Sequence, residues 1–273
     1  TWPASMNLFV NPWRRTARRV FASAEPLDLP PLHDGRIRRR YKRFLADCEL
    51  ADGALVTAHC PNTGTMKSCW EPDAPVQLSY SDDPRRKLAW TLERVDMGRG
   101  WIGVNTHRVN AVVAEAAAAG RLPGLEDLRD VRREVAIDAG NGERSRLDLM
   151  LSGASGTAYV EVKNTTLLDG EVLRFPDAVS VRAAKHLRAL RGLAAAGHRA
   201  VILFALNRPE GEAFAPADDI DPDYGRILRE VVEDGVEVLA LRLHHSERGL
   251  RTGHAVPVIL CRIAVVECFA CNS

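Results

Sequence analysis

The stretch VRREVAIDAGNGERSRLDLMLSGASGTAYVEVKNTT, from Val131 to Thr166, decides how this chain folds. It contains three short apolar runs, each with a charged residue, separated by segments rich in turn-forming residues. The Asn141-Gly142 pair after the first run is typical of a tight hairpin turn. Small residues from Ser152 to Thr157 separate the second run from the third. The pattern predicts a three-stranded meander.

The charged residues of this meander are predicted to meet on one face. Side chains alternate across a strand, so Glu161 and Lys163, two residues apart, share a face at a separation of about 6.5–7 Å. Glu134 lies opposite the apolar face of its own strand, and Asp148 lies opposite a face made of Leu147, Leu149 and Leu151. Three carboxylates and one lysine are therefore expected to converge on one side of the sheet.

This residue set suits a hard divalent cation. Mg²⁺ and Mn²⁺ prefer oxygen ligands, usually one or two carboxylates completed by water and substrate phosphate. Asp148 and Glu161 are the predicted metal ligands, with Glu134 as an auxiliary catalytic carboxylate. Lys163 is the predicted catalytic cation, which orients water or shares the charge of a phosphate. The alternative is that Glu161 and Lys163 are solvent-facing residues of an edge strand.

The same residues resemble a known signature. Asp148 followed by Glu161-Val-Lys163 resembles the PD-(D/E)xK motif of nuclease-like proteins. Taken with further segments in their order and spacing, the chain is similar to the sugar fermentation stimulation protein A family over roughly residues 38–243. Those segments are RRYKRFLAD (39–47), HCPNTGTM (59–66), ERSRLDLML (143–151), FPDAVS (175–180) and KHL (185–187). The resemblance implies an N-terminal OB-fold domain, a C-terminal nuclease-like domain and an association with DNA.

Residues 37–106 have the pattern of a small β-barrel. Five predicted strands in about seventy residues, separated by Gly- and Asn-containing turns, favour an OB-like five-stranded barrel. The strands are expected at Ile37–Ala46, Ala54–His59, Pro75–Ser81, Lys87–Arg94 and Trp101–Asn105. The predicted domains are a basic leader and linker (1–36), the barrel (37–108), the nuclease-like α/β domain (109–246) and a tail (247–273).

In the α/β domain the sequence predicts a helix from Pro176 to Ala196, a central strand from His198 to Leu206, a second helix from Tyr224 to Glu233 and a strand from Val236 to Leu243. The uninterrupted apolar run before Leu206 is expected at a position covered on both faces.

A mixture of basic and aromatic residues on the barrel predicts a nucleic-acid surface. Such residues follow the phosphate backbone and stack on bases. The candidates are Arg39, Arg40, Tyr41, Lys42, Arg43, Arg85, Arg86 and Lys87. The alternative is that the aromatic residues pack in the core and the arginines only increase solubility. Asn62 and Thr63 lie in a turn that can offer backbone N–H groups to a phosphate, and Lys185 is a further candidate phosphate contact; an ordinary turn and an ordinary solvated lysine are the alternatives.

Composition limits the class of protein. Of 273 residues, 46% are hydrophobic and 27% are charged, values typical of a globular protein. No apolar run approaches the length that crosses a bilayer, so no membrane partner is expected. Residues 1–43 carry ten Lys or Arg against three acidic residues, a net charge of +7, which leaves −6 on the remainder of a chain with a net charge of +1. A nucleic-acid surface must therefore be a local patch.

The basic leader leaves the cellular location open. It has the composition either of a disordered segment or of a transit peptide. The first predicts a cytoplasmic protein with reduced cysteines, and the second predicts an organelle.

Two functions follow from these residues. The first is a Mg²⁺- or Mn²⁺-dependent nuclease, a phosphodiesterase that acts on DNA. The second is a non-catalytic DNA-binding regulator of sugar metabolism genes that uses a nuclease-like scaffold. Both bind DNA.

Overall fold

A computed structural model describes residues 26–138, 144–247 and 249–261 of the chain. The predicted leader up to residue 25 and the Asn141-Gly142 turn lie outside the described residues. The chain first forms a two-residue strand and then six strands of an N-terminal unit. These are β1 (Leu27–Asp28), β2 (Leu32–Tyr41), β3 (Leu45–Leu50), β4 (Leu55–His59), β5 (Pro75–Tyr80), β6 (Trp90–Asp96) and β7 (Trp101–Gly103).

An α/β unit follows. Its first half comprises α1 (Thr106–Ala118), β8 (Asp130–Asp138), β9 (Arg144–Gly153), β10 (Gly156–Thr165), β11 (Leu167–Asp169) and β12 (Val172–Phe175). Its second half comprises α2 (Val181–Ala195), β13 (Arg199–Leu206), β14 (Ala213–Pro216), α3 (Pro222–Glu233), β15 (Glu237–His245) and β16 (Gly249–Ala255). Among the described residues, no helix has the length and apolar character needed to cross a membrane.

The N-terminal unit is a closed five-stranded barrel. Its strands follow the order β4-β3-β2-β5-β6, and a parallel pairing of β4 with β6 closes the ring. β7 extends the sheet beyond β6. Inward-facing apolar side chains such as Ile37, Leu78 and Leu92 are fully buried and form the barrel core. The predicted OB-like barrel is confirmed.

The first predicted strand, Ile37–Ala46, is wrong. The chain turns within it, so that β2 ends at Tyr41 and β3 begins at Leu45. Lys42 and Arg43 form the turn with positive φ angles of 49° and 67°. Their segment contains no Gly, Asn or Pro, so it lacks the residues by which a tight turn is recognised.

The α/β unit is built on a seven-stranded sheet of order β1-β16-β15-β13-β10-β9-β8. β13 pairs in parallel with β10 and β15, at the position between them. α1 packs on one face of the sheet, and α2 and α3 pack on the other. Seven of the eight residues of β13 are buried, as expected for a strand covered on both faces.

The predicted start of α2 is also wrong. The sequence predicts a helix from Pro176, whereas α2 begins at Val181 with Ser180 as its N-cap. The Ser180 hydroxyl accepts a hydrogen bond from the Ala183 N–H at 3.1 Å, which satisfies one of the free donors of the first turn. Val179 precedes the helix and is 71% exposed, so it lies outside the buried stripe of α2, which includes Ala183, Leu187 and Leu190.

Parts of the predicted leader and tail belong to the folded units. Leu27 of β1 pairs with Leu250 of β16 and packs against the α1-side core. β2 begins at Leu32, which pairs with Ser79 of β5. The described segments from Pro26 to Arg36 and from Gly249 to Ala255 therefore form part of the folded units. The sequence could not show this because each strand pairs with a partner far away along the chain.

Candidate active site

A cleft of about 590 Å³ lies between the barrel and the α/β unit. Its walls include Glu134, Asp148, Glu161 and Lys163, the four residues predicted to converge. Glu134 lies on β8, Asp148 lies on β9, and Glu161 and Lys163 lie on β10. The cleft therefore brings the predicted metal and catalytic residues to one place.

The β8–β9 hairpin changes face where two of these carboxylates stand. Glu134 has a φ of 54° and lies opposite Asp148, between the paired residues Arg133–Leu149 and Val135–Leu147. Beyond this point the hairpin packs into a different core: Leu149 belongs to the α1 side and Leu147 to the α2 side. The expectation that Leu147 shares a face with Leu149 and Leu151 is wrong, because Leu147 packs into one core and the other two pack into the opposite one, at the point where Glu134 breaks the regular backbone of the neighbouring strand β8.

Asp148 is held by hydrogen bonds to both carboxylate oxygens. Oδ2 accepts the backbone N–H of Val162 at 2.7 Å, and Oδ1 accepts Nδ2 of Asn110 on α1 at 2.6 Å. Burial, together with the nearby negative charge of Glu161, raises the pKa of Asp148 to about 6. Both effects disfavour the charged form, so the carboxylate is one that a cation would stabilise.

Glu161 is almost fully buried, with 2% of its surface exposed. Its Oε1 accepts a hydrogen bond from Lys163 Nζ at 2.5 Å and pairs with Nδ1 of His186 on α2. Burial opposes ionisation, but His186 and Lys163 outweigh it and hold the pKa of Glu161 below its usual value. Its Oε2 is buried and has no hydrogen-bond partner among the described residues.

These donors fit a hard divalent cation. The unpartnered Oε2 of Glu161 and the carboxylate of Asp148 supply oxygen ligands, and two carboxylates leave positions for water and a phosphate oxygen, as Mg²⁺ prefers. Glu134 is exposed on the cleft wall. In the described part of the chain, no three His, Cys, Asp or Glu residues are grouped closely enough to hold a metal by themselves.

Three predicted nucleic-acid residues, Arg43, Asn62 and Thr63, line the barrel wall of the cleft. Arg40 lies behind them. Its guanidinium donates to the carbonyl oxygens of Arg43, Asn62 and Gly64 at 2.6, 2.9 and 2.8 Å. Arg40 therefore holds the loop of residues 61–65 in place. A trans peptide points its C=O and N–H in opposite directions, so the N–H groups of Thr63 and Thr65 face away from Arg40.

The other predicted nucleic-acid residues lie outside the cleft lining. Arg39 pairs with Asp47 at 3.0 Å and stacks over the ring of Tyr41 at 4.4 Å. Arg85 is paired with Asp83 at 2.8 Å, and Arg86 donates to the Thr91 hydroxyl at 2.5 Å. Of the remaining three, Lys42 and Lys87 are exposed, and Lys185 on α2 is half-buried.

Sequence reasoning missed two residues that contact the carboxylates, His186 and Asn110. His186 lies three residues after Ala183 and four before Leu190, so helical spacing places it on the buried stripe of α2. A histidine at that spacing was a usable signal. Asn110 on α1 had no comparable signal, because its contact with Asp148 joins residues 38 positions apart.

Comparisons with known proteins agree with this architecture. The model of the SfsA N-terminal OB domain matches residues 39–104, and that of the sugar fermentation stimulation protein RE domain matches residues 107–249. A solved SfsA from Pyrococcus furiosus, in complex with Ca²⁺, has a TM-score of 0.78 and 27% identity, covering 87% of this chain and 100% of that one.

Curated relatives match most of the chain. A sugar fermentation stimulation protein homolog from Acidithiobacillus ferrooxidans is 49% identical over 235 residues, which are 85% of this chain and 100% of the relative. A homolog from Geotalea uraniireducens is also 49% identical, over 82% of this chain and 96% of the relative. With both family models matched in order and a relative covered over its full length at 49% identity, the chain belongs to the sugar fermentation stimulation protein (SfsA) family.

Proposed function

We propose that this protein binds DNA and cleaves its phosphodiester backbone with the help of Mg²⁺ or Mn²⁺. The observation that carries the proposal is the buried Oε2 of Glu161, which has no hydrogen-bond partner in the described chain, beside the raised-pKa carboxylate of Asp148. Buried charged oxygens are normally paired or bound to a metal. A divalent cation held by the two carboxylates would give Glu161 Oε2 a partner and would favour the charged form of Asp148.

A relative supports the choice of cation. The Pyrococcus furiosus SfsA structure is a complex with Ca²⁺. Ca²⁺ and Mg²⁺ are both hard cations that take oxygen ligands, and they differ in ionic size and in the rigidity of the geometry they demand. The carboxylate pair of this chain offers the same kind of ligand.

The surrounding residues suit phosphodiester chemistry. A bound divalent cation supplies positive charge, which favours deprotonation of water and stabilises negative charge on the phosphate. Lys163, whose Nζ lies 2.5 Å from Glu161 Oε1, places a second positive charge beside the carboxylates, where it can orient water or contact the phosphate. His186 and Asn110 hold Glu161 and Asp148 in fixed orientations.

The cleft walls also suit a phosphate backbone. On the barrel wall, Arg43 and the loop of residues 61–65 present a positive charge and outward-facing N–H groups. On the opposite wall, Arg182 lies in the first turn of α2, which contains no acidic residue. The N-terminus of a helix carries partial positive charge and favours anions. Contacts of these kinds position DNA without reading its sequence.

The second candidate is the non-catalytic DNA-binding regulator. One observation favours it: the described residues do not group three His, Cys, Asp or Glu side chains that could hold a metal ion. In this function the same cleft and basic residues hold DNA, and the carboxylates contribute electrostatics without turnover.

A metal titration followed by a cleavage assay separates the two. Calorimetry with Mn²⁺ should show binding to the wild type and much weaker binding to Asp148→Asn and Glu161→Gln, since each change removes an anionic ligand. Asp223→Asn on α3, whose side chain is 82% exposed, is the charge-matched control and should bind like the wild type. Equal affinity in the wild type and Asp148→Asn would contradict the site. Metal binding without cleavage of DNA would favour the regulator.

A further inference from the structure

We infer that the nucleic acid enters the cleft as a single strand, or as the unpaired end of a duplex, and not as a continuous double helix. The inference rests on the proposed function, since it concerns the substrate of that same cleft. It is carried by how deep the carboxylates lie and by how the two walls are joined.

The chemical groups of the cleft are recessed. The side chain of Glu161 is 2% exposed and that of Lys163 is 14% exposed. A phosphate must therefore pass below the protein surface into the cleft before it can approach either residue. In a continuous duplex the phosphates lie on the outside of a wide, stiff cylinder, and the paired strand and its bases cannot follow one phosphate into a recess.

The cleft is also small. Its volume of about 590 Å³ falls in the range of sites that enclose one drug-sized ligand, roughly 300–1,000 Å³. A site of that size accommodates one or two nucleotides. Both strands of a double helix, whose major groove alone is about 12 Å wide, do not fit together inside a space of that volume.

The two walls are joined, so the cleft cannot widen without breaking contacts. Asp177, in the loop before α2, accepts the backbone N–H of Met66 through Oδ2 at 3.1 Å. Its backbone carbonyl accepts the Thr65 hydroxyl at 3.1 Å. The barrel loop fits closely against this carboxylate, because a Cβ atom added at Gly64 would lie 2.2 Å from Asp177 Oδ2. We call these contacts of Asp177 with Gly64, Thr65 and Met66 the interdomain clasp.

An exposed apolar side chain lines the cleft and a second lies two residues further along the chain, a feature suited to unpaired bases. Val179 lines the cleft and is 71% exposed, and Val181 at the start of α2 is 80% exposed. The bases of a single strand expose apolar faces that stack on or pack against protein side chains. In a duplex those faces are stacked on one another and are not available. A duplex must therefore open at its end to make the same contacts, which lowers its affinity.

Fluorescence anisotropy with the full-length protein tests the inference. The probes are a labelled strand of about 20 nucleotides, longer than one barrel of this kind covers, the blunt duplex of the same sequence, and that duplex with a single-stranded tail. Ca²⁺ is the cation, salt is constant, and a gel confirms that each probe stays intact. The strand and the tailed duplex should bind about tenfold more tightly than the blunt duplex, because the blunt duplex must first open.

The outcomes distinguish this inference from the proposed function. Blunt-duplex affinity equal to or above that of the strand overturns the inference and leaves the proposed function standing. A lack of binding to all three probes overturns the proposed function, and the inference with it. A preference for the strand and the tailed duplex supports both.

Two substitutions locate the selectivity in the cleft. Asp177→Ala breaks the interdomain clasp and should reduce the ratio of single-strand to duplex affinity, whereas Asp223→Ala should leave that ratio unchanged. If Asp177→Ala does not fold, Val179→Ser is the alternative, because an exposed valine is not needed for the core. It should weaken single-strand binding, and Leu55→Ser, at a 76% exposed site on the barrel, is its control. Folded cleft variants with an unchanged ratio would overturn the inference.

Discussion

Lys163 Nζ lies 2.5 Å from Oε1 of Glu161, two residues earlier on β10. Because residues two apart on a strand share a face, the ion pair is built into a single strand. The lysine and His186 both approach Oε1, which leaves Oε2 of Glu161 without a partner among the described residues. One oxygen of the carboxylate thus holds the positive side chains, and the other is the ligand that we propose for the cation.

Replacing Lys163 by Ala should separate binding from cleavage. Its charge is proposed to act on water or phosphate during the reaction, so cleavage should fall by about a hundredfold or more. DNA affinity should stay within a few-fold, since phosphate contacts come from several residues. Cleavage is measured under single-turnover conditions and affinity by anisotropy. Arg226→Ala on α3, paired with Asp223 and Glu230 outside the cleft, is the control. Full cleavage by Lys163→Ala would remove the lysine from the mechanism.

Asp148→Asn should change how stability depends on pH when a chelator removes metal ions. Burial and Glu161 raise the pKa of Asp148 to about 6, whereas an unfolded aspartate titrates near 3.9. Between these values the folded wild type binds more protons than the unfolded chain, so its free energy of unfolding falls as pH rises from about 4 to about 6. A shift of this size corresponds to at most about 3 kcal/mol.

The variant lacks this ionisation, so its stability relative to the wild type should increase by about 1–3 kcal/mol between about pH 4 and pH 8. Urea denaturation at both values, with chelator present, measures the difference. Added Mn²⁺ should then stabilise the wild type at pH 8 and leave the variant almost unchanged. A stability difference that is the same at both pH values would show that folding does not raise the pKa of Asp148.

Replacing Arg85 and Arg86 by Ala tests whether the barrel surface adds to binding. Both lie outside the cleft lining, and Asp83 compensates the charge of Arg85. We expect the double variant to lose DNA affinity by a similar factor for every DNA sequence. The slope of log affinity against log salt should shrink by about 0.7–0.9, the equivalent of one phosphate contact. Arg226→Ala controls for the loss of an exposed charge. An unchanged affinity and slope would make these arginines solubilising residues.

Deleting residues 1–34 should destabilise the protein, although the composition of the basic leader is that of a disordered segment or a transit peptide. The deletion removes β1, which pairs with β16, and the part of β2 from Leu32 to Asp34 that pairs with Ser79, Leu78 and Gln77 of β5. Loss of this pairing and of Leu27 burial should lower the thermal midpoint by roughly 5–10 °C. Deletion of residues 1–25, which leaves β1 and β2 intact, is the comparison. Equal midpoints for both truncations would contradict the role of β1.

Several features of the fold follow from local pattern. The shared face of Glu161 and Lys163 follows from strand alternation, and the central position of β13 follows from its uninterrupted apolar run. Turn residues separate most of the barrel strands at their observed positions. Each of these depends on neighbours within a few residues, which the sequence displays directly.

Other features depend on segments that meet only after folding. The hydrogen bond from Met66 to Asp177 joins residues 111 positions apart, and the pairing of His186 with Glu161 joins residues 25 positions apart on two different elements. The turn at Lys42 and the reversal of face at Glu134 use positive φ angles at residues with no intrinsic preference for them. The sequence by itself determined which chemistry the chain carries and on which strands. Only the tertiary structure decided how deep that chemistry lies and what encloses it, because depth and enclosure arise from packing between segments distant along the chain.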